Sequence, residues 1–296
     1  MIAAIASGKG GTGKTTVSAS LASIWTEALG RPVLAVDLDV EEPNLHLFLR
    51  PLIVNNHVAS LEIPVVDAAV CARCGECRSL CQFGAITIMG DTPMVFAEMC
   101  HGCGGCMAVC PVGAITPGAR ELGCIEEGSA DAIGFLSGRL RVGEAMSPPL
   151  IRAVTQRLGE LLAGRPATTL PDVLLDAPPG VSCPATAAVA KADCIVLVTE
   201  PTPFGVHDFK LAVEAFSPLG KPMGVVVNRA GAASDELYGF CRQAKLPILA
   251  EIPDDRRIAE TYARGGLLAE VNAACRTLCL QLAQAVDALA REVAHA

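Results

Sequence analysis

The chain reads as an α/β protein: a parallel sheet covered by helices on both faces, interrupted by a small cysteine-rich α+β insert. Three features predict this. Short, continuously apolar runs alternate with segments of helical period on both sides of the interruption. A glycine-rich phosphate loop joins the first apolar run to the first helix. Eight of the 14 cysteines fall in one duplicated stretch. With 296 residues, 51% hydrophobic and 18% charged, the chain can bury one large core beside a small module.

From the N-terminus, Ile2 to Ala6 forms a buried strand that ends in the loop Ser7 to Thr16, and Val17 to Leu29 follows with helical periodicity. Gly30 and Pro32 stop this helix before a second strand, Val33 to Val36, which ends at Asp37. The same rhythm resumes after about residue 120, with strands at Val173 to Leu175, Cys194 to Val198, Met223 to Val227 and Pro247 to Ala250. Helices alternate with them at Leu150 to Leu162, Ala185 to Ala190, Val206 to Phe216, Ser234 to Gln243 and Ala273 to Val293. The expected domains are therefore a discontinuous α/β domain, residues 1–60 and 121–296, and an insert, residues 61–120.

Within the insert, Cys71, Cys74, Cys77 and Cys81 with Gly84 to Thr87 align with Cys100, Cys103, Cys106 and Cys110 with Gly113 to Thr116. A C-x2-C-x2-C loop wraps three corners of a cubane and takes its fourth thiolate from elsewhere. Pairs of C-x2-C also build zinc ribbons, but two complete four-cysteine runs favour [4Fe–4S] clusters. Gly75, Gly104 and Gly105 are expected to let backbone N–H groups approach the cluster sulfurs. Six cysteines lie outside the repeats, and of these Cys194, Cys241, Cys275 and Cys279 read as small buried hydrophobes. Cys124 and Cys183 complete the set.

Gly8, Lys9, Gly10, Gly11, Thr12, Gly13, Lys14 and Thr15, followed by Thr16, fit G-x-x-x-x-G-K-[ST] between a predicted strand and a predicted helix. Loop N–H groups in that arrangement cradle phosphates, Lys14 reaches the β- and γ-phosphates, and the Thr15 hydroxyl holds Mg²⁺. ATP or ADP with Mg²⁺ is the expected ligand. The formal charge of -8 and the lack of a Lys/Arg block exclude a nucleic-acid surface. No apolar run is long enough to span a bilayer and no signal peptide is visible, so a cytoplasmic location without integral membrane association is expected. The final helix lacks the cationic face of an interfacial helix and reads as a core-packing one. His46, His57, His101, His207 and His295 form no spaced ligand set.

On these motifs the whole chain resembles the MinD-superfamily ATPases, the deviant Walker A group marked by Lys9, that carry an inserted bacterial-type ferredoxin domain. MinD, the Mrp-type carriers and the nitrogenase iron protein are relatives of that group. The resemblance implies a homodimer, or a heterodimer with a similar ATPase, in which Lys9 reaches the partner's nucleotide. It implies that Asp39 orients the attacking water, that Asp37 supports the magnesium site, that Asp176 is a magnesium-water ligand and that Gly180 senses the γ-phosphate. Asn228, Pro253 and Asp254 resemble the adenine pocket. By the ferredoxin pattern, Cys71, Cys74, Cys77 and Cys110 hold one cluster and Cys100, Cys103, Cys106 and Cys81 the other; Gln82 departs from the usual proline, which Pro111 keeps. Cys183 occupies the place of a cluster ligand of the nitrogenase iron protein, which implies a position near the dimer face. The C-P-x-C pair of Mrp-type scaffolds is missing, which weighs against a cluster carrier. The resemblance implies an ATP-gated electron carrier with a redox protein partner, or alternatively a positioning or assembly ATPase of a protein complex that uses its clusters as sensor or dock, with an iron–sulfur scaffold or carrier as a further alternative.

Overall fold

A computed structural model of the chain describes residues 1–90, 92–164, 166, 169–231 and 235–291. By its internal contacts the chain forms two units: Met1–His57 with Ile125–Arg139 and Ile151–Ala296, and Val58–Cys124 with Leu140–Leu150. The elements in order are β1 (Ile2–Ala6), α1 (Lys14–Leu29), β2 (Val33–Asp37), α2 (Leu45–Leu49), β3 (Leu52–Val66), α3 (Glu76–Leu80), β4 (Ile86–Met89), β5 (Thr92–Val95) and α4 (Gly105–Ala108). They continue with β6 (Ile115–Ala130), β7 (Ile133–Leu140), α5 (Ser147–Ala163), β8 (Asp172–Asp176), α6 (Cys183–Val189), β9 (Cys194–Thr199), α7 (Pro203–Phe216) and β10 (Met223–Ala230). The last are α8 (Asp235–Gln243), β11 (Ile248–Pro253), α9 (Arg256–Ala263), α10 (Leu268–Val271) and α11 (Ala273–Arg291).

Among the described residues the strands form one sheet in the order β11-β10-β9-β1-β8-β2-β7-β6-β3, and β4 pairs antiparallel with β5. The neighbours from β11 to β7 run parallel, so their C-terminal ends share one edge. Side chains alternate across such a strand. Ala3 and Ile5, with Val196 and Val198, join one core with Leu21, Ile24 and Trp25 of α1 and with Leu282 and Val286 of α11. The intervening Ala4, Ile195 and Leu197 are buried as well. Burial on both faces is why these strands read as unbroken apolar runs.

Local signals explain the helix ends. Gly30 takes the left-handed conformation after α1 and donates its N–H to the Thr26 carbonyl at 2.8 Å. Pro203 opens α7 behind Thr202, whose Oγ1 accepts from the Gly205 N–H at 3.0 Å. Cys194, Cys241, Cys275 and Cys279 are buried, as their apolar reading requires. No helix among the described residues is long and apolar enough to cross a membrane. Differences from the sequence reading include α2, α9 and the pair β6 and β7. α2 is one short turn, too brief for a period to show. The short α9 fully buries none of its side chains, and its apolar face is limited to Ile258, Ala259 and Tyr262. β6 and β7 turn back at Asp131, which holds φ 48 without being glycine. The expected ends Ser234 and Val293, and His295, lie outside the described residues.

In the second unit the duplicated sequence becomes duplicated backbone. Arg73 and Gly102, Gly75 and Gly104, and Gly84 and Gly113 are repeat-equivalent pairs, and all six residues are left-handed, with φ between 57 and 81. α3 and α4 start behind Gly75 and Gly104 respectively. Arg120 is buried in this unit and ion-paired to Glu98 at 3.0 Å and to Glu144.

Trp25, the chain's single tryptophan, is fully buried and donates its indole N–H to Asp172 Oδ2 at 3.0 Å. Asp172 also binds Arg31 Nε at 2.9 Å and the Met1 amine at 3.2 Å. Replacing Trp25 by Phe removes one bond to a buried carboxylate and leaves a gap beside α11. Circular-dichroism melting is expected to show a loss of about 2 kcal/mol, several degrees in midpoint.

Candidate functional site

The shared C-terminal edge of the parallel strands carries the site. β1 ends at Ala6, the loop turns through Gly11 (φ 78) and Gly13 (φ 96), and α1 begins at Lys14. Two glycines here are required by contact as well as by φ. A Cβ at Gly13 would stand 2.5 Å from Asn228 Nδ2, and one at Gly8 would stand 2.0 Å from the Asp208 carbonyl oxygen.

One cavity of about 420 Å³ lies along this loop, within the range of small-molecule sites. Gly10, Gly11, Gly13, Lys14, Thr15, Thr16, Asp39, Asn228, Pro253 and Asp254 all line it. Gly8, Lys9 and Thr12 belong to the same loop but do not face this cavity. Sequence reasoning missed Glu42, Asn44, Arg229, Asp255, Ile258 and Tyr262, which line it as well, with Pro179, Ile252 and Ala259. Glu42 and Asn44 lie a few residues after Asp39, whereas Ile258 and Tyr262 reach the cavity only because α9 folds back over it.

Beneath the cavity, β2 and β8 run side by side and bring Asp37 opposite Asp176. Both are buried, at 0% and 1% exposure. Asp37 accepts from the Asp39 N–H at 3.1 Å and from the Leu45 N–H at 2.9 Å. Asp176 Oδ1 accepts from the Ser18 hydroxyl at 3.0 Å, while its Oδ2 is buried with no hydrogen-bond partner. Burial raises the Asp37 carboxyl well above the ordinary range, and the neighbouring Asp176 adds to that. Burial also raises Asp176, against the pull of Lys14, Thr15 and Ser18. Asp39 is pushed up to about 6 by burial, with Lys14 opposing and Asp176 reinforcing the shift. A buried, unpartnered carboxylate oxygen beside Thr15 has the donor chemistry that a hard cation such as Mg²⁺ uses.

Asn228 differs in one respect from the adenine-pocket reading. Its Nδ2 donates to the Thr12 carbonyl at 2.8 Å and its Oδ1 accepts from the Arg229 N–H at 3.0 Å. Its amide therefore braces the phosphate loop. Gly180, left-handed at φ 87, donates its N–H to the Ser7 carbonyl at 2.9 Å and so ties the segment after β8 to the loop.

A second cavity, of about 70 Å³, lies in the cysteine-rich unit, and Cys81, Cys100, Cys103 and Cys106 line it together. Three of these come from the second repeat and one from the first. Phe83 and His101 line the same cavity and stack with ring centroids 3.6 Å apart. Cys77 lies within electrostatic reach of Cys71 and Cys74, and Cys106 within reach of Cys100 and Cys103; burial raises both thiols first, and these neighbours add to it. Backbone N–H groups point at sulfur, among them Gly102 to Cys100 at 3.4 Å and Ala114 to Cys110 at 3.3 Å. Among the described residues no three His, Cys, Asp or Glu side chains close around a single ion.

A glycine loop between strand and helix, a lysine at the helix start and acidic residues at the ends of the adjoining strands define a P-loop nucleotide-binding protein. Residues 3–268 match the model of the CobQ/CobB/MinD/ParA nucleotide binding domain, and the chain belongs to that family. The uncharacterized protein MJ0578 of Methanocaldococcus jannaschii is 34% identical over 275 residues, covering 91% of this chain and 90% of that protein. The uncharacterized ATP-binding protein MJ0169 of the same organism is 27% identical over 269 residues, 87% of this chain and 76% of its own length. In fold, the septum site-determining protein MinD of Pyrococcus horikoshii OT3, solved with Mg-ADP, is similar with a TM-score of 0.58 at 24% identity, covering 98% and 96% of the two chains.

The raised carboxyls set the sign of a pH effect in Mg²⁺-free protein. A folded-state pKa above the ordinary 3.8 contributes stability below that value and loses it as pH rises through the folded pKa. Stability in chelator is therefore expected to fall from about pH 4 toward neutrality. Asp176→Asn keeps the Ser18 bond and removes one buried charge. It is expected to raise the stability at pH 7 by about 1–2 kcal/mol, flatten that pH slope and weaken Mg²⁺-dependent nucleotide binding, read by calorimetry.

Proposed function

We propose that the chain is a Mg²⁺- and ATP-dependent ATPase that dimerises across its nucleotide face and couples nucleotide state to two [4Fe–4S] clusters, with ATP-gated electron transfer as its activity. The observation that carries the reading is the pair of built sites in one chain. One is a phosphate-loop cavity over two buried carboxylates; the other is a cavity lined by four cysteines drawn from both repeats. When bound, Mg²⁺ neutralises phosphate charge and the clusters carry single electrons.

The chain's own residues have definite tasks in this reading. Loop N–H groups and Lys14 hold the phosphates, Thr15 and Asp176 hold the cation, and Asp39 orients the attacking water from the cavity wall. Asp37 holds the segment after β2 through its bond to the Leu45 N–H, which is the first residue of α2. β3 follows α2 directly and runs from Leu52 in the first unit to Val66 in the second. A change in Asp39 or Asn44 on nucleotide binding is thereby passed along a continuous strand into the cysteine-rich unit. Cys81, Cys100, Cys103 and Cys106 would hold one cluster, and Cys71, Cys74, Cys77 and Cys110 the other.

Two measurements test the reading. Lys14→Ala is expected to lower ATP hydrolysis by at least about a hundredfold while iron and acid-labile sulfide stay at the wild-type level. In an anaerobic redox titration followed by electron paramagnetic resonance, a non-hydrolysable MgATP analogue is expected to shift a cluster midpoint by tens of millivolts, where about 59 mV is tenfold. Clusters whose midpoints ignore nucleotide would favour the positioning ATPase, and zinc in place of iron would remove the cluster assignment.

A further inference from the structure

Lys9 stands apart from the rest of the phosphate loop. It does not line the nucleotide cavity, its side chain is 31% exposed, and its amine lies 3.9 Å from Glu200 Oε2 of the same chain. Glu200 follows β9 and is only 5% exposed. The other oxygen of this carboxylate, Oε1, lies 3.1 Å from Nη1 of Arg229. Arg229 lines the nucleotide cavity and holds a left-handed backbone, φ 54, steadied by its N–H bond to Asn228. One buried carboxylate therefore joins the loop lysine to the cavity wall.

The surroundings hold this carboxylate in place. A Cβ on Gly205 would stand 2.4 Å from the Glu200 carbonyl oxygen, so the turn after β9 closes tightly on residue 200. Thr199 Oγ1 donates to the Gly205 carbonyl at 3.2 Å, which fixes the same turn. On the loop side, Ser7 Oγ donates to the Lys9 carbonyl at 2.7 Å. Backbone is thus pinned at both ends of the ion pair, and the freedom that remains is in the lysine side chain.

We propose that Glu200 is a positioning residue that holds Lys9 against its own chain until a partner subunit's nucleotide competes for the amine. This rests on the reading that Lys9 acts in trans. The physical basis is the double pairing. A buried carboxylate stripped of its counter-charge is costly, but Arg229 stays on Glu200 when Lys9 leaves. Lys9 can therefore transfer to a partner's phosphates without leaving an orphaned charge behind. The Lys9 contact is long and partly solvated, so the restraint it imposes is small and reversible.

The test is sedimentation velocity of the full chain over a range of concentrations, with a non-hydrolysable MgATP analogue. Glu200→Gln keeps the shape of the side chain but removes the charge that holds Lys9, and is expected to tighten the nucleotide-dependent dimer about two- to fivefold. Glu200→Asp, which keeps the charge, is expected to lie between Glu200→Gln and wild type. In a Lys9→Ala background the Glu200→Gln effect is expected to vanish, because the double-mutant cycle isolates the pair. A Glu200→Gln dimer no tighter than wild type, or a shift that survives in Lys9→Ala, overturns the proposal and leaves the ATPase reading standing. A wild-type chain that stays monomeric with every nucleotide removes both.

Discussion

The arrangement on which the site depends is the pair of carboxylates buried at the ends of two neighbouring parallel strands. Asp37 and Asp176 sit opposite one another because β2 and β8 are in register. Two like charges in that position raise each other's proton affinity, and burial raises it further. The fold offsets the cost with Lys14 at the start of α1, with Ser18 one turn later, and with the N–H groups of Asp39 and Leu45. Each compensating group also belongs to the phosphate loop, the first helix or the segment after β2. The same charges that destabilise the empty chain thus organise the elements that would meet a nucleotide and its cation. Local strain and repulsion concentrated at a ligand site are what a binding protein retains at the expense of stability.

The cysteine-rich unit follows a different logic, because many of its apolar side chains, Val65, Leu80, Phe83 and Met99 among them, stay exposed. Its order comes from repeated backbone geometry. Three pairs of left-handed residues recur at equivalent points of the two runs. The crossed origin of Cys81, Cys100, Cys103 and Cys106 then follows from two similar loops facing each other. The two halves are not identical: Phe83 stacks on His101 beside one set of cysteines, whereas the repeat-equivalent residues are Val112 and Ala72.

Much was legible in the sequence where a signal was local. Continuous apolar runs located β1, β2, β8, β9 and β10 to within a few residues, because a strand buried on both faces tolerates no polar interruption. The phosphate loop and the cysteine repeats were equally plain, since their chemistry depends on spacing along the chain. α2, α9 and the β6–β7 pair were not legible. One is too short for a period, one has only a short apolar face, and strand pairing across a turn depends on contacts distant in sequence.

The sequence by itself determined the α/β class, the nucleotide motif and the existence of a duplicated cysteine unit. Only the tertiary structure decided that Asn228 spends its amide on the phosphate loop, that Ile258 and Tyr262 close the cavity, that Gly180 is tied to the Ser7 carbonyl, and that Lys9 faces Glu200. The reason is common to all four. Each is a contact between residues far apart in the chain, set by strand order and by which buried charge needs a partner, and neither of these leaves a mark on the spacing of nearby residues.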